Sequence, residues 1–134
     1  MRSRGRLWVV AGLAVYALAV VAVLVLPVPY AGIVRGIGQA LTSTGISGFG
    51  TGWIEFVANV LMFAPLGFFL TLLFRHPLVG TVVALVLSVT AEVVQIVIPS
   101  RQPSLRDIVA NVFGAALGAF LAWLIVLRRR KRRT

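Results

Sequence analysis

Four long apolar stretches dominate the pattern of hydrophobic and polar positions along the chain. Each is about 20 residues long and ends one or two residues before a proline or arginine: Leu7–Leu26, Ile54–Leu73, Leu78–Ile98 and Ile108–Leu127. A helix needs about 20 apolar residues to cross the hydrocarbon core of a bilayer. The pattern therefore predicts an all-α polytopic membrane protein with a bundle of four transmembrane helices.

The loop between the first two spans, residues 27–53, carries a weaker pattern of its own. Ile33, Ile37 and Leu41 recur at helical spacing among polar residues, which predicts a short amphipathic helix in this loop, lying on the outer leaflet. The glycine-rich segment Thr44–Gly52 that follows is predicted to be a flexible linker.

Composition agrees with a membrane protein of one domain, residues 1–134. Hydrophobic residues make up 60% of the chain and charged residues only 12%, whereas a soluble domain is about a quarter charged. The first span, 7–26, is longer than the apolar stretch of a signal peptide, so we expect an uncleaved anchor. The chain has no cysteine, which excludes disulfides and thiolate chemistry.

The net charge of +10 is concentrated in the two tails, which carry nine of the 13 basic residues. This placement indicates anchoring to anionic membrane lipids and not nucleic-acid binding. With the amino terminus in the cytoplasm, ten basic residues lie inside and only Arg35, Arg101 and Arg106 lie outside. The positive-inside rule therefore predicts a plasma-membrane protein with both termini and the basic tail, 128–134, in the cytoplasm.

Several polar residues fall at one depth, near the outer face. At 1.5 Å per residue, Asn59 lies about 9 Å below Trp53, and Glu92 lies about 10 Å below Pro99. Charged and amide groups in a membrane turn toward the bundle interior and find partners there, here expected to be Arg101 and Arg106. We expect a binding cluster there that contains these residues: Asn59, Glu92, Gln95, Arg101, Asp107 and Asn111.

Small residues and a proline indicate how the helices pack. Gly114 and Gly118 form a small-xxx-small pair, which lets two helix backbones approach closely. Pro65 removes a backbone hydrogen bond in the second span and, with Gly67, predicts a kink there.

Three stretches of the sequence resemble the VanZ-like family of small bacterial membrane proteins. They are Asn59–Gly67, Glu92–Arg101 and Asp107–Gly118, in this order, and the resemblance covers residues 55–122. It implies the four-span fold, and it implies that the polar residues named above and Gly114 are the family's recurring positions. The founding member is associated with reduced susceptibility to teicoplanin. Ser104 stands where many relatives would carry another acidic residue, which counts against a metal-binding or two-carboxylate mechanism.

Individual polar residues allow two interpretations. Glu92 is either paired with Arg101, holding two helices together, or part of a ligand or proton site. Asp107 suits the first turn of a helix, where the dipole favours an acidic residue. The amides of Asn59, Gln95 and Asn111 could serve only as contacts between helices. An arginine such as Arg101 could bind a phosphate or carboxylate through a bidentate pair of hydrogen bonds.

Three functions follow from these residues and from the resemblance. The first is a non-enzymatic protein whose outer pocket binds an envelope lipid, a lipid-linked intermediate or a lipoglycopeptide. The second is a membrane-embedded enzyme acting on a lipid headgroup, and the third is a small ion-coupled transporter, which would need two copies. The sequence shows no nucleophile–base pair and no metal-ligand spacing, so no catalytic residue, metal or cofactor is predicted. Whether the chain forms a homo-oligomer is left open.

Overall fold

The computed structural model describes residues 3–25, 30–48, 50–97 and 104–131. Within these ranges the chain is helical throughout, apart from its turns and one linker, and it has no strand. The final helix passes through a π-helical stretch, Trp123–Leu127, into a last turn, Arg128–Lys131. The five helices are α1 (Ser3–Val25), α2 (Tyr30–Ser43), α3 (Thr51–Phe74), α4 (Pro77–Gln95) and α5 (Leu105–Ala122).

Four helices in the described part of the chain are long and apolar enough to cross a membrane, namely α1, α3, α4 and α5 with its π-helical extension. The predicted all-α bundle with four spans is therefore confirmed. The short helix predicted in the loop after the first span is also present, as α2. The linker is shorter than expected, because α3 begins at Thr51.

The helices alternate in direction. Gly114 and Gly118 of α5 lie against Val60 and Ala64 of α3 in the same order along both helices, so α3 and α5 run parallel. The turn between α3 and α4 is short because proline forces the preceding residue into an extended conformation, and His76 before Pro77 has φ −145° and ψ 121°. Helix α4, which comes between α3 and α5 in the sequence, therefore runs antiparallel to both.

Helix α1 packs on α3 at the edge of the bundle. The hydroxyl of Tyr16 donates a hydrogen bond to the carbonyl oxygen of Met62, and Gly12 lies against the ring of Phe69. The core lies between α3, α4 and α5, and Leu13 of α1 packs against it. Its buried members are Phe63, Leu70, Ala84 and Ala115.

This alternation brings all three acidic residues of the chain to one end of the bundle. Glu55 lies near the start of α3, Glu92 near the end of α4 and Asp107 in the first turn of α5. We call this the acidic end. The opposite, basic end carries the start of α1, Arg75 in the α3–α4 turn, and Arg128 after the π-helical stretch.

Candidate functional site

Glu92 is the most deeply buried charged side chain among the described residues, with 7% of its surface exposed. Its Oε2 atom accepts a hydrogen bond of 3.1 Å from the backbone N–H of Ser104, the residue that caps the start of α5. A helix start carries unpaired N–H groups and a partial positive charge, so it favours a carboxylate. Glu92 therefore joins the end of α4 to the beginning of α5.

The sequence predicts an arginine partner for Glu92, and it does not predict this additional backbone contact. Arg106 forms an ion pair with Glu55 instead, at 3.1 Å between Nη2 and Oε2. Arg101, the other predicted partner and a predicted member of the cluster, lies outside the described residues. The backbone partner has no side-chain signature, which is why sequence reasoning missed it.

A second contact joins the same two helices one turn deeper. The Nδ2 atom of Asn111 donates a hydrogen bond of 2.8 Å to Oγ of Ser88. Both residues are buried, with Asn111 5% exposed and Ser88 0% exposed. Glu92 follows Ser88 by four residues, and Asn111 follows Asp107 by four, so each pair stacks on one face of its helix. These four residues form what we call the α4–α5 seam.

Two oxygen atoms of the seam are buried without a hydrogen-bond partner among the described residues, Oδ1 of Asp107 and Oδ1 of Asn111. An unpaired buried acceptor costs free energy, on the order of 1–3 kcal/mol. Such atoms are rare in folded proteins and call for an explanation, often an unseen water, ion or ligand. The seam therefore has spare acceptor capacity in the interior of the bundle.

The Glu55–Arg106 pair lies beside the seam but is a surface contact. The side chain of Arg106 is 51% exposed and that of Glu55 34%. Exposed ion pairs contribute about 0–1 kcal/mol to stability, so this pair holds the starts of α3 and α5 together only weakly. The absence of a side chain on Gly52 makes room for the guanidinium, which an added Cβ would meet at 2.2 Å.

The other predicted site residues are placed less fully. Asn59 is half-buried on α3, one turn after Glu55. Gln95 is the last residue of α4, and its side chain is outside the described part of the structure. Of the six predicted binding residues, the structure thus brings Glu92, Asp107 and Asn111 together.

The predicted packing residues lie where helix backbones meet. A Cβ added to Gly118 would lie 1.8 Å from the carbonyl oxygen of Ala64, and one added to Gly114 would lie 2.3 Å from that of Val60. Gly67, predicted only as part of a kink, packs equally closely against the backbone of Ala115. Pro65 lies inside α3, which continues through it.

An apolar groove that the sequence analysis did not predict runs between α2 and α3. It encloses about 450 Å³ and is lined by apolar side chains only, among them Ile37 and Leu41 of α2 and Trp53 and Leu61 of α3. None of the predicted polar residues lines it. Ile37 and Leu41 were recognised as members of an amphipathic helix, but the position of that helix on α3 has no signature in the sequence.

The described residues hold no group of three or more histidine, aspartate or glutamate side chains that could bind a metal.

Comparison with known proteins places the chain in a family. No curated protein and no solved structure matches the chain significantly. The profile of one family, described as VanZ/LLP1, matches residues 13–127, well beyond the three stretches that first indicated it. The chain therefore belongs to the VanZ/LLP1 family.

Proposed function

We propose that this protein is a non-enzymatic plasma-membrane protein whose α4–α5 seam binds the polar part of an envelope lipid or of a lipoglycopeptide. The observation that carries the proposal is the seam itself. A carboxylate, an amide and a hydroxyl are buried at the acidic end of a membrane bundle, and the amide oxygen and one oxygen of Asp107 have no partner in the described structure. Polar groups inside a membrane bundle are costly and mark ligand sites by default.

The proposed location of the site follows from orientation. If both termini are cytoplasmic, as the basic residues predict, the acidic end faces the outside of the cell. Polar groups are present in the outer leaflet on lipid headgroups, lipid-linked envelope intermediates and lipoglycopeptides. A protein that binds one of them there could lower the amount of drug that reaches its target, in line with the association of the family's founding member with teicoplanin.

Drug susceptibility of a sensitive Gram-positive host tests this function. We expect wild-type protein to raise the inhibitory concentration of teicoplanin, which carries a lipid tail, and to leave that of vancomycin unchanged. Glu92→Gln should abolish the effect, because the neutral amide weakens the bond to Ser104 and places donors in the seam. The measurement is made at equal amounts of protein in the membrane.

Glu55→Gln is the matched control, since it makes the same change at the same end of the bundle but in an exposed ion pair. It should behave as wild type. Equal inhibitory concentrations for wild type, Glu92→Gln and the empty vector, with both drugs, would refute a lipoglycopeptide role. A Glu92→Gln protein with full activity would refute the seam as the site.

A further inference from the structure

The α4–α5 seam has more hydrogen-bond acceptors than donors. Among the described residues, it receives two donated bonds, one from the Ser104 backbone to Glu92 and one from Asn111 to Ser88. Oδ1 of Asp107 and Oδ1 of Asn111 receive none. The Asn111 side chain lies between α4 and α5, because its Nδ2 atom bonds Ser88 across them, and the residue is only 5% exposed. A ligand that completes the seam must therefore bring donors.

Both acidic residues of the seam are associated with the same helix start, that of α5. Asp107 is the third residue after Ser104, the position from which an acidic side chain commonly accepts the N–H of the capping residue. Here Glu92 of the neighbouring helix accepts that N–H instead. Both carboxylates thus belong to residues at one helix start, and only that of Glu92 is bonded to the Ser104 N–H. Asp107 is left with a buried oxygen that has no partner in the described structure.

The charge at this point is also unbalanced within the described structure. Arg106 lies in the same helical turn as Asp107, but its guanidinium is directed to Glu55 and Gly52 on α3. The dipole at the start of α5 is worth only about half a positive charge. Within the described structure, Arg106 and the helix dipole therefore supply less than one positive charge to the carboxylates of Glu92 and Asp107. Glu92 is buried and Asp107 is half-buried, so this point of the described structure favours a cationic ligand.

We propose that the seam recognises a primary ammonium group, carried by an amine-bearing lipid headgroup or by an amine-bearing lipopeptide. This inference rests on the proposed function and narrows its ligand class. An ammonium supplies a positive charge and three N–H donors, which matches two carboxylates and an amide oxygen. A phosphate or carboxylate would set acceptors against acceptors, so the polar contact comes from the amine end of the ligand.

The test compares lipids that differ only at the nitrogen. Purified full-length protein in detergent is titrated with dilauroyl phosphatidylethanolamine, its N-acetylated derivative and dilauroyl phosphatidylcholine, with native mass spectrometry as the readout. N-acetylation removes the charge, and the choline headgroup keeps the charge but has no N–H. We expect phosphatidylethanolamine to bind at least about tenfold more tightly than either, as charge-assisted hydrogen bonds require.

Variants assign the preference to the seam. Glu92→Gln and Asp107→Asn should each reduce the preference for the primary amine at least about fivefold, because each removes one charged acceptor. Glu55→Gln should keep it. Asn111→Asp adds a carboxylate and should strengthen amine binding, an effect opposite to that of simple structural damage.

Equal binding of the three lipids, or tighter binding of anionic phosphatidylglycerol, would overturn the inference. So would stabilisation by sodium ions together with no discrimination between the amine and its N-acetyl derivative, which would indicate an inorganic cation site. These failures are separable from that of the proposed function. A Glu92-dependent change in teicoplanin susceptibility without amine selectivity would leave the function intact and remove only the ligand class.

Discussion

Single side chains at the acidic end are held by contacts of different strength. Glu92 is buried and bonds a backbone N–H at a helix start, whereas Glu55 is one-third exposed and pairs with a half-exposed arginine. In water-accessible surroundings such a pair adds little. Inside the bundle, a polar group without a protein partner has no water molecule with which to form a hydrogen bond. We therefore expect the seam, and not the ion pair, to contribute to the stability of the bundle at this end.

The Ser88–Asn111 bond provides a test of this at one residue. Ser88→Ala removes the hydroxyl to which Asn111 donates and leaves a buried amide with neither of its groups bonded among the described residues. We expect a loss of about 1 kcal/mol in the free energy of unfolding, within the range of interhelical hydrogen bonds in membranes. Unfolding of purified protein in mixed micelles, followed by circular dichroism, measures the change.

Thr90→Val is the control for that experiment. Thr90 lies on the same helix, is exposed, and donates only to the Val86 carbonyl of its own helix at 2.7 Å. Its removal should change the unfolding free energy by less than about 0.5 kcal/mol. Equal losses in the two variants would mean that the bond across the seam has no special weight.

Three of the four seam residues were predictable from the sequence, but their bonds were not. A shared depth and the tendency of polar groups to face the bundle interior placed Glu92, Asp107 and Asn111 in one predicted cluster. The predicted partner of Glu92 was an arginine, because opposite charges are the visible candidates in a sequence. A backbone N–H is present at every residue except proline, so its selection by Glu92 depends on where α5 begins relative to α4.

At the scale of helices, close backbone contact joins α3 and α5. Apolar side chains gain little by associating in lipid, because lipid tails are as apolar as leucine, so membrane helices associate through packing and hydrogen bonds. Gly67, Gly114 and Gly118 all lie in this interface, each with a backbone atom of the other helix within 2.3 Å of where a Cβ would be. The two parallel helices thus form the most closely packed pair in the described structure.

Gly118→Ala should separate these two helices. The new Cβ would lie 1.8 Å from the carbonyl oxygen of Ala64, which belongs to a backbone and cannot turn away. The higher helix propensity of alanine contributes about 1 kcal/mol in favour of the variant. Overpacking costs about 1–3 kcal/mol, so we expect a net loss of stability. A lower midpoint of thermal unfolding in detergent would show it.

Ala116→Val enlarges a side chain on the exposed face of the same helix and serves as the comparison. It should leave the unfolding midpoint within about 2 °C of wild type. If Gly118→Ala matched or exceeded the wild-type midpoint, the close approach of α3 and α5 would be wrong.

The number of helices could be predicted from hydropathy, but the internal geometry of the helices could not. The four spans and the periodicity of Ile33, Ile37 and Leu41 were sufficient to predict five helices. The π-helical stretch Trp123–Leu127 has no such basis, because its sequence is uniformly apolar and fits an α-helix equally well. The buried face of α2 also differs from the face that its periodicity predicted. Val34 is only 4% exposed, whereas Ile33 is 48% exposed.

At the scale of the whole molecule, charge is divided between the two ends of the bundle. The acidic end carries all three carboxylates of the chain, while the basic end carries Arg4, Arg6, Arg75 and Arg128. Arg128 lies 5.8 Å from the centre of the Trp123 ring, a cation–π contact that suits a membrane interface. This division supports one orientation for the four spans, with the basic end in the cytoplasm.

Single cysteines test that orientation directly, because the natural chain has no cysteine and each variant therefore carries a single thiol. Ser47 lies in the α2–α3 linker at the acidic end, and His76 lies in the α3–α4 turn at the basic end; both are exposed. In intact cells a membrane-impermeant maleimide should label Ser47→Cys. It should label His76→Cys only after the membrane is opened.

The same comparison bears on the site. Because Glu92 and Asp107 lie at the end that Ser47 marks, labelling of Ser47→Cys in intact cells means that an extracellular amine-bearing ligand can approach the seam without crossing the bilayer. Labelling of His76→Cys alone would invert the protein, expose the hexabasic tail outside and restrict the seam to cytoplasmic ligands. Equal labelling of both would indicate dual orientation, in which half of the molecules present the seam to each side. Labelling of His76→Cys alone is therefore incompatible with a role in teicoplanin susceptibility, since that drug acts outside the cell and no seam would face it.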